Sequence, residues 1–181
     1  MCDKKGDLEL IKKNIQRFPN FPKAGITFID IFSVLRNYKA FCALKEIIID
    51  HVKTLERVDV VAALESRGFL FGPVVALELG LPFVPIRKKG KLPGKVEQVS
   101  FTLEYGQDVF EIQSESILPN QGVLLLDDLL ATGGSLAASC QLISQLKAKV
   151  VECLVIIELT DLKGRDKVPA PVHSFIQETE N

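Results

Sequence analysis

The sequence has no excess of charge of either sign. Its 181 residues include 22 Lys and Arg against 23 Asp and Glu, which gives a net charge of -1. A chain so balanced has no overall attraction for nucleic acid or for an anionic membrane surface. Any affinity for an anionic ligand must therefore come from local clustering of positive charge, and we expect neither nucleic acid nor a membrane as a partner.

The sequence also lacks a metal-binding pattern. None of its four cysteines forms a C-x-x-C pair, and His51 and His173 are far apart in the chain. The sequence therefore gives poor support for a zinc site. Cys42, Cys140 and Cys153 sit within apolar patterns, which is typical of small buried hydrophobic residues. Reduced thiols are typical of cytosolic proteins, and we expect a cytoplasmic location.

Long hydrophobic runs are absent as well. The first residues are of mixed charge and contain no apolar signal core. The most apolar region, 69–84, is interrupted by glycine, proline and glutamate, and falls short of the roughly 20 apolar residues of a membrane span. With 47% hydrophobic and 25% charged residues, the composition is that of a globular protein. No repeat or composition shift marks a second domain, so we predict a single domain over 1–181.

What is present is an alternation of helix patterns and apolar strands. We predict helices at about 8–17 with Asp7 as cap, after Asn37 as cap, at 66–79 ended by Gly80, and at 134–147. We predict strands at 58–64, 83–87, 123–128 and 150–159, a glycine- and lysine-rich loop reaching about Val99, and a hairpin of 101–105 and 108–112 around Gly106. Apolar strands that alternate with helices indicate an α/β fold, with a parallel sheet covered on both faces. In such sheets ligands bind beyond the carboxyl ends of the strands.

The segment from Leu124 to Ser135 has the features of a phosphate-binding loop. It runs from an apolar strand through Asp127 and Asp128 to Thr132-Gly-Gly-Ser. The glycines let the backbone approach a ligand, and the free amides at the start of the next helix attract an anion. The hydroxyls of Thr132 and Ser135 would add bonds to a phosphate placed there. Carboxylates repel phosphate but accept bonds from sugar hydroxyls, so we predict a site for a phosphorylated ribose.

A simpler alternative is a turn in which one of the acids caps the helix and the glycines only break regular structure. Two adjacent acids at the end of an apolar strand are, however, costly to bury for structure alone. The Walker A loop is a poor fit, because no lysine follows the second glycine.

A cluster of cations follows the strand predicted at 83–87. Five of them fall within nine residues: Arg87, Lys88, Lys89, Lys91 and Lys95. Glycine and proline discourage regular structure there. Because the rest of the chain is balanced in charge, we interpret the cluster as a mobile cationic lid that attracts an anionic substrate, excludes water and reopens. A solvated basic loop is the alternative.

The stretch Glu65-Ser-Arg-Gly68 ends another strand and begins another helix. It offers a second set of free amides, and Arg67 adds a forked cation that suits phosphate oxygens. The alternative for Arg67 is a surface ion pair.

Five segments, in this order, resemble the phosphoribosyltransferases that use phosphoribosyl pyrophosphate, and among them the adenine-specific members. The segments are FPKAGITF at 21–28, ESRGFLFG at 65–72, RKKGKLPG at 87–94, LEYG at 103–106 and DDLLATGG at 127–134. The resemblance covers about 18–167. It implies the type I phosphoribosyltransferase fold: a single domain with a central, mainly parallel sheet flanked by helices. It also implies a base-covering N-terminal segment at about 8–36 and a mobile lid at about 88–112.

The resemblance implies roles for particular residues. It places the phosphoribose on Asp127, Asp128, Ala131, Thr132, Gly133, Gly134 and Ser135. It places the pyrophosphate on Ser66, Arg67, Arg87, Lys88 and Lys91, with Arg87 acting in its own chain or from a partner subunit, which implies a homodimer. It places adenine between Phe28 and Leu129, with main-chain groups near Thr27 and Ile29 at its edge, and makes Glu104 the acid/base. It further implies a cis peptide before Ser66. Without the resemblance, core packing would explain Phe28 and Leu129, and Glu104 would be a solvated hairpin residue.

The implied activity is transfer of the phosphoribosyl group to adenine, giving AMP and pyrophosphate in purine salvage, with Mg²⁺ held mainly by substrate and water and no direct protein ligand. The alternatives are a transferase for hypoxanthine or guanine, and a non-catalytic purine or phosphoribosyl-binding regulator. The sequence departs from the family pattern at Ile29, usually arginine, at Phe101, usually tyrosine, and at Ser135, commonly threonine. If position 29 acts through its backbone, isoleucine is tolerated; if the guanidinium matters, base affinity or selectivity changes.

Overall fold

The structure, a computed structural model, describes residues 4–103 and 106–179. The helices are α1 (Lys4–Asn14), α2 (Phe32–Leu35), α3 (Tyr38–Val52), α4 (Gly72–Leu79) and α5 (Gly134–Gln145), with short 3-10 turns at Arg67–Leu70, Thr160–Leu162 and Gly164–Lys167. The strands are β1 (Gln16–Pro19), β2 (Thr27–Asp30), β3 (Val60–Leu64), β4 (Phe83–Lys88), β5 (Val96–Leu103), β6 (Gly106–Gln113), β7 (Gly122–Leu130), β8 (Lys149–Leu159) and β9 (Val172–Glu178).

Seven strands form one sheet in the order β5-β6-β4-β3-β7-β8-β9. The β3, β4, β7, β8 and β9 strands run parallel, while β6 is antiparallel to both β4 and β5. A separate antiparallel pair, β1 and β2, precedes the sheet. This is the mainly parallel, helix-flanked sheet expected of the type I phosphoribosyltransferase fold.

The central strands are buried on both faces, which explains their continuous apolar sequences. Along β7, Leu124 and Leu126 pack into one core cluster with α1, α3 and α4. Val123 and Leu125 pack into the other cluster, beneath α5. The strand must be apolar at every position there because each face meets a different layer of helices.

The predicted cap of α3 is confirmed. The side chain of Asn37 accepts hydrogen bonds from the backbone N–H groups of Lys39 and Ala40, at 3.1 and 3.2 Å. Leu44 and Ile48, on the predicted apolar face, are buried. The local capping signal and the spacing of apolar residues therefore agree on this helix.

Two predicted helices have other bounds. The first already includes Lys4 and ends at Asn14, so Asp7 is a first-turn acid that complements the helix dipole rather than a cap. The helix predicted at 66–79 is broken into a 3-10 turn and α4, because Pro73 has no N–H and begins a new helix rather than continuing one. Gly80 does end α4, with φ 67°.

The lysine-rich loop is shorter than predicted, since β5 begins at Val96 and pairs with β6 over eight positions. Four elements were missed: the strands β1, β2 and β9 and the short helix α2. The β9 strand is an edge strand in which only Ile176 is fully buried, so its sequence contains no apolar run. Of the three cysteines expected to be buried, Cys140 and Cys153 are buried with their Sγ atoms 3.6 Å apart, whereas Cys42 is only partly buried. No helix in the described ranges is long and apolar enough to cross a membrane.

Candidate active site

A cleft of about 390 Å³ lies where β3 and β7 end. Since these strands are parallel neighbours in register, the residues that follow them lie side by side. The cleft is lined by two segments, 65–67 after β3 and 127–136 from the end of β7 into α5. All seven predicted phosphoribose residues, together with Ser66, Arg67 and Leu129, thus line a single cleft.

The phosphate loop enters α5 without a side-chain cap. The N-cap is Gly133, in the left-handed conformation with φ 82°, and no side chain bonds to the first-turn amides. These N–H groups have no partner within the helix and carry the positive end of its dipole. The alternative in which Asp127 or Asp128 caps the helix is therefore wrong, and the amides are available to an anion.

Gly164 supports this loop and was missed by sequence reasoning. A Cβ on Gly133 would lie 2.2 Å from the carbonyl oxygen of Gly164, and a Cβ on Gly164 would lie 2.0 Å from that of Ala131. The two backbones are in direct contact, so the phosphate loop rests on the segment after β8. A glycine in the polar stretch Lys163-Gly-Arg carries no sequence signal that distinguishes this contact from an ordinary turn.

The acid pair is set apart from ordinary surface carboxylates by its burial. Asp128 is 3% exposed, whereas Asp127 is partly exposed to the cleft and accepts a bond from the Asp128 N–H at 2.9 Å. Burial, and then the charge of Asp128, raise the pKa of Asp127 well above its usual range. Burial also raises the pKa of Asp128, although Arg67 opposes the shift. A carboxylate can accept about four hydrogen bonds, so hydroxyl donors could add to the contacts with the Asp128 N–H and Arg67.

Arg67 joins the acid pair to the N-terminal strand pair. Its Nε lies 2.5 Å from Oδ2 of Asp128, and its guanidinium carbon lies 5.9 Å from the centre of the Phe28 ring. The ion pair therefore lies within the cleft, with a buried partner, and is not the surface pair considered as the alternative. The peptide between Glu65 and Ser66 is cis, as the resemblance implied.

The predicted base-binding residues come from two places. Phe28 lines an apolar cleft with Phe18, Pro19, Asn20 and Phe21, and the Phe21 ring meets it edge-on at 5.3 Å. Leu129 lines the phosphoribose cleft. Arg67, in contact with Phe28, lies between the two clefts.

Thr27 and Ile29 flank Phe28 on β2, and neighbouring side chains of a strand point to opposite faces. The Ile29 side chain packs against the hydrophobic core. On the face of β2 where the Phe28 side chain lies, residue 29 therefore exposes only backbone groups, because its side chain points to the opposite face.

The cations of the lysine loop do not line the cleft formed by 65–67 and 127–136. Arg87 forms a two-pronged ion pair with Glu65, at 3.0 and 3.1 Å, which holds the pKa of Glu65 below its usual range. Lys88 Nζ lies 2.8 Å from Asp108 Oδ2. Arg87 also donates to the Lys91 carbonyl at 3.2 Å. Arg87 thus connects the loop to the cleft through Glu65, which lines it.

Glu111 organises this loop and was also missed. It is 1% exposed, and its Oε1 accepts the N–H groups of Lys91 and Leu92, each at 2.8 Å. Burial raises the pKa of Glu111, but the loop N–H groups outweigh it, and the net shift is downward. The sequence carried no distinguishing signal, because an acid between Phe110 and Ile112 is also what a strand with one solvent-facing side would show.

Glu104, the predicted acid/base, lies outside the described residues, between the ends of β5 and β6. The strands on either side pair from Val96 to Leu103 with Gly106 to Gln113. The predicted hairpin around Gly106 is confirmed by this pairing.

Comparison with known proteins matches the chain to one family. The family model for the phosphoribosyl transferase domain matches residues 32–178. Adenine phosphoribosyltransferases of Rattus norvegicus and Homo sapiens are each 47% identical over 174 residues, which cover 94% of this chain and 97% of theirs.

Solved structures agree. Adenine phosphoribosyltransferase from Saccharomyces cerevisiae, complexed with an imino-altritol bisphosphate and adenine, superposes with a TM-score of 0.90 at 41% identity, over 94% of this chain and 99% of that one. The Trypanosoma brucei enzyme, in complex with AMP, pyrophosphate and ribose-5-phosphate, superposes with a TM-score of 0.89 at 27% identity. The match covers 99% of this chain and 83% of that one.

Proposed function

Since the chain belongs to the phosphoribosyltransferase family, with the type I fold of its adenine-specific members, we propose that it transfers the phosphoribosyl group of phosphoribosyl pyrophosphate to adenine, giving AMP and pyrophosphate. The observation that carries this conclusion is the single cleft in which an uncapped helix start and a buried acid pair lie together. Relatives nearly half identical over 94% of the chain are adenine phosphoribosyltransferases. The reaction is a purine salvage step.

The 5-phosphate binds at the start of α5. The amides of Thr132 to Ser135, with the two hydroxyls of the loop, donate to its oxygens, and the helix dipole adds to the attraction. Asp127 and Asp128 accept bonds from the ribose hydroxyls, which fits their position just before the loop. Phosphate and sugar are thus recognised by groups of opposite charge in consecutive stretches of chain.

The pyrophosphate binds on the other wall of the cleft. Ser66 and Arg67 line that wall, and Arg67 supplies a forked cation. Lys88 and Lys91 belong to the lid at about 88–112, which would close over the pyrophosphate and exclude water. Arg87 takes part by moving from Glu65 to the substrate, within its own chain or from a partner subunit.

Adenine lies between Phe28 and Leu129, with its edge read by the main chain near Thr27 and Ile29. The packing of the Ile29 side chain on the core supports this, because only the backbone at position 29 remains for the base. The centre of the Phe28 ring lies 5.9 Å from the guanidinium carbon of Arg67. The proposed adenine site is therefore next to the wall of the cleft that binds pyrophosphate.

In the reaction, the bond from the ribose anomeric carbon to pyrophosphate breaks, and a bond to the adenine nitrogen forms. Positive charge grows on the ribose ring as pyrophosphate leaves, as in glycosidic substitution. Glu104 accepts the proton that adenine loses. The chain contributes mainly by holding the two reactants in line and by placing charge around the leaving group.

Mg²⁺ fits this cleft as a companion of the substrate. The acid pair offers oxygen atoms, but Asp128 is already engaged by Arg67, and burial disfavours its free charged form. These residues therefore suit an ion held mainly by substrate oxygens and water, with no direct protein ligand. When bound, Mg²⁺ neutralises part of the pyrophosphate charge.

The deciding experiment offers the protein adenine, hypoxanthine or guanine in turn, with phosphoribosyl pyrophosphate and Mg²⁺, and measures both nucleotide and pyrophosphate. We expect AMP and pyrophosphate in equal amounts from adenine alone. Turnover of a 6-oxopurine instead would identify the other transferase, and binding of ligand without pyrophosphate release would indicate a regulator.

A cytoplasmic homodimer completes the proposal. The three cysteines in the described ranges are free thiols, which supports a reducing compartment. Large apolar side chains on the surface, such as Tyr38 at 80% and Leu77 at 84% exposure, provide contact area for a second subunit. Sedimentation velocity of the full chain tests the dimer directly.

A further inference from the structure

Three side chains suited to bind a metal lie together at the end of the sheet opposite the phosphoribose cleft. His51 is in the last turn of α3, Glu152 near the start of β8 and His173 near the start of β9. One ligand atom from each can be chosen so that all three lie within 4.8 Å of one another. The wide separation of the histidines in sequence, which argued against a zinc site, is closed by the fold.

The sheet and α3 bring the three residues to one place. His173 pairs with Leu154 across β8 and β9, and Glu152 lies two residues before Leu154, so it points to the same face. Leu154 packs into the same core cluster as Ile48 of α3. The C-terminal end of α3 therefore meets the two strands where these polar side chains lie.

The side chains are held by contacts on several sides. His51 Nε2 lies 2.6 Å from Glu152 Oε1, and the two imidazole rings stack with their centres 3.6 Å apart. The Phe175 ring meets both imidazoles edge-on, at 5.9 and 4.8 Å. The side chains of His51 and Glu152 are only 20% and 12% exposed.

The cluster also opens to solvent on one side. A cleft of about 280 Å³ is lined by both histidines with Asp50, Thr54 and hydrophobic neighbours. An ion can therefore reach the two imidazoles, beside which Glu152 lies, without unfolding of the chain.

We propose that His51, Glu152 and His173 bind one zinc ion, with water as the fourth ligand. Two imidazoles and one carboxylate form a donor set that suits Zn²⁺, whereas Mg²⁺ and Ca²⁺ prefer oxygen donors throughout. Zinc bonds of about 2.0–2.2 Å place tetrahedral ligand atoms roughly 3.4 Å from one another. On binding, the widest-spaced ligand atoms therefore close by up to about 1.4 Å, and His51 and Glu152 separate from 2.6 Å. One imidazole also turns out of the stack, because a ring nitrogen binds a metal in the plane of its ring. The ion joins the end of α3 to two strands of the sheet.

This site is separate from the transfer reaction. Glu152 lies three residues before Val155, the β7 partner of Asp127, which is roughly 10 Å along the strand. Zinc bound there stabilises the folded chain by binding it in preference to the unfolded one. The activity with saturating substrates stays the same.

The test is equilibrium dialysis of Zn²⁺ against the full chain after treatment with a chelator. We expect one zinc per chain in the wild type, and a loss of affinity of more than about 100-fold in both Glu152→Gln and His173→Gln, above the effect of outer-shell changes. Glu178→Gln is the matched control, because it removes a carboxylate from the same strand as His173 and only an ion pair with Arg17. Cys140→Ala is the control for binding by thiols. Both controls should keep the zinc.

Thermal denaturation gives the second reading. Zinc should raise the midpoint of the wild type and of both controls, and leave that of Glu152→Gln and His173→Gln unchanged. Equal zinc binding by wild type and His173→Gln, or no binding by the wild type, would overturn the proposal. If a cluster variant fails to fold, the visible spectrum of the Co²⁺-loaded wild type decides: tetrahedral bands without thiolate charge transfer support the site, and thiolate bands refute it.

Discussion

Gly133 and Gly164 touch through their backbones, with space for no side chain between them. A Cβ on Gly133 would lie 2.2 Å from the Gly164 carbonyl oxygen. Gly133 is also the left-handed N-cap of α5, at which the proposed phosphate amides begin. The position of the proposed phosphate loop therefore depends on a segment 31 residues further along the chain.

Gly164→Ala should damage substrate binding more than folding. Its Cβ would meet the Ala131 carbonyl at 2.0 Å, so the phosphate loop must move. We expect kcat/KM for phosphoribosyl pyrophosphate to fall by about 100-fold, since a misplacement of about 1 Å costs that much. Gly80→Ala is the control for backbone strain alone, because Gly80 has a left-handed φ of 67° but open space around it and lies outside the cleft. A Gly164→Ala enzyme with normal kinetics would show that the loop adapts.

Glu158 and Arg165 anchor the same segment. Arg165 donates to Glu158 through Nε at 3.0 Å and Nη2 at 2.5 Å, and Ser174 Oγ adds a bond at 2.6 Å. The Arg165 bonds, opposed by burial, lower the pKa of Glu158. A lowered carboxyl pKa stabilises the fold above the pKa of the unfolded chain, and this stabilisation is lost as the pH falls through the folded pKa.

Glu158→Gln should therefore lower the free energy of unfolding by about 1–2 kcal/mol at pH 7, a modest value because Arg165 is partly exposed. The difference from wild type should shrink as the pH falls below the ordinary glutamate range. Urea denaturation at a series of pH values measures both. A difference that is constant over the acid range would mean that the charge of Glu158 is not responsible.

The framework of this fold was predictable from sequence because its signals are local. Asn37 caps α3 through its own side chain, and the all-apolar stretch from Val60 to Leu64 reports burial on both faces. The strand, turn and helix start of the proposed phosphate loop were predictable for the same reason, since strand, acids and glycines follow one another in about a dozen residues.

The features that could not be predicted from the sequence depend on contacts between distant segments of the chain. Gly164 matters only because it meets Gly133, and Glu111 only because the loop at Lys91 folds back onto it. His51 and His173 lie more than 100 residues apart, and only the β8–β9 pairing and the position of α3 bring them together. No periodicity or short motif encodes such pairs.

Ile29→Ala tests how position 29 contributes. Since the Ile29 side chain packs on the core, truncation should cost about 1–3 kcal/mol of stability. If the backbone reads the base, KM for adenine should stay within about threefold of wild type, well under the 1.4 kcal/mol of a tenfold change. Phe28→Ala is the contrast, and should raise KM for adenine while leaving that for phosphoribosyl pyrophosphate unchanged. An equal rise in Ile29→Ala would assign a direct role to its side chain.

Glu104→Gln tests the proposed acid/base. The amide keeps the shape of the side chain but cannot accept the adenine proton, so kcat should fall by about 100-fold or more. The affinity for phosphoribosyl pyrophosphate, which Glu104 does not touch, should be nearly unchanged. Pre-steady-state product formation separates the two quantities, and an unchanged kcat would remove Glu104 from the mechanism.

Asp127→Asn should separate stability from function. Burial and the Asp128 charge raise the pKa of Asp127, so the folded chain binds a proton more tightly than the unfolded chain does. Wild-type stability is therefore lost as the pH rises from the ordinary aspartate range through the raised folded pKa. An asparagine carries no such cost, and the unliganded variant should be the more stable protein at neutral pH.

The same substitution should weaken the enzyme, because an amide offers the ribose hydroxyls one acceptor oxygen in place of two. We expect kcat/KM for phosphoribosyl pyrophosphate to fall by about 10- to 100-fold, as when one or two hydrogen bonds to a charged group are lost. The melting temperature without ligand, measured by calorimetry, should thus rise in the variant, while kcat/KM from initial rates should fall. In acid, Asp127 is protonated in both the folded and the unfolded wild type, so the difference in melting temperature between wild type and variant should vanish. A variant that is less stable at neutral pH would show that the charge of Asp127 is compensated within the unliganded cleft.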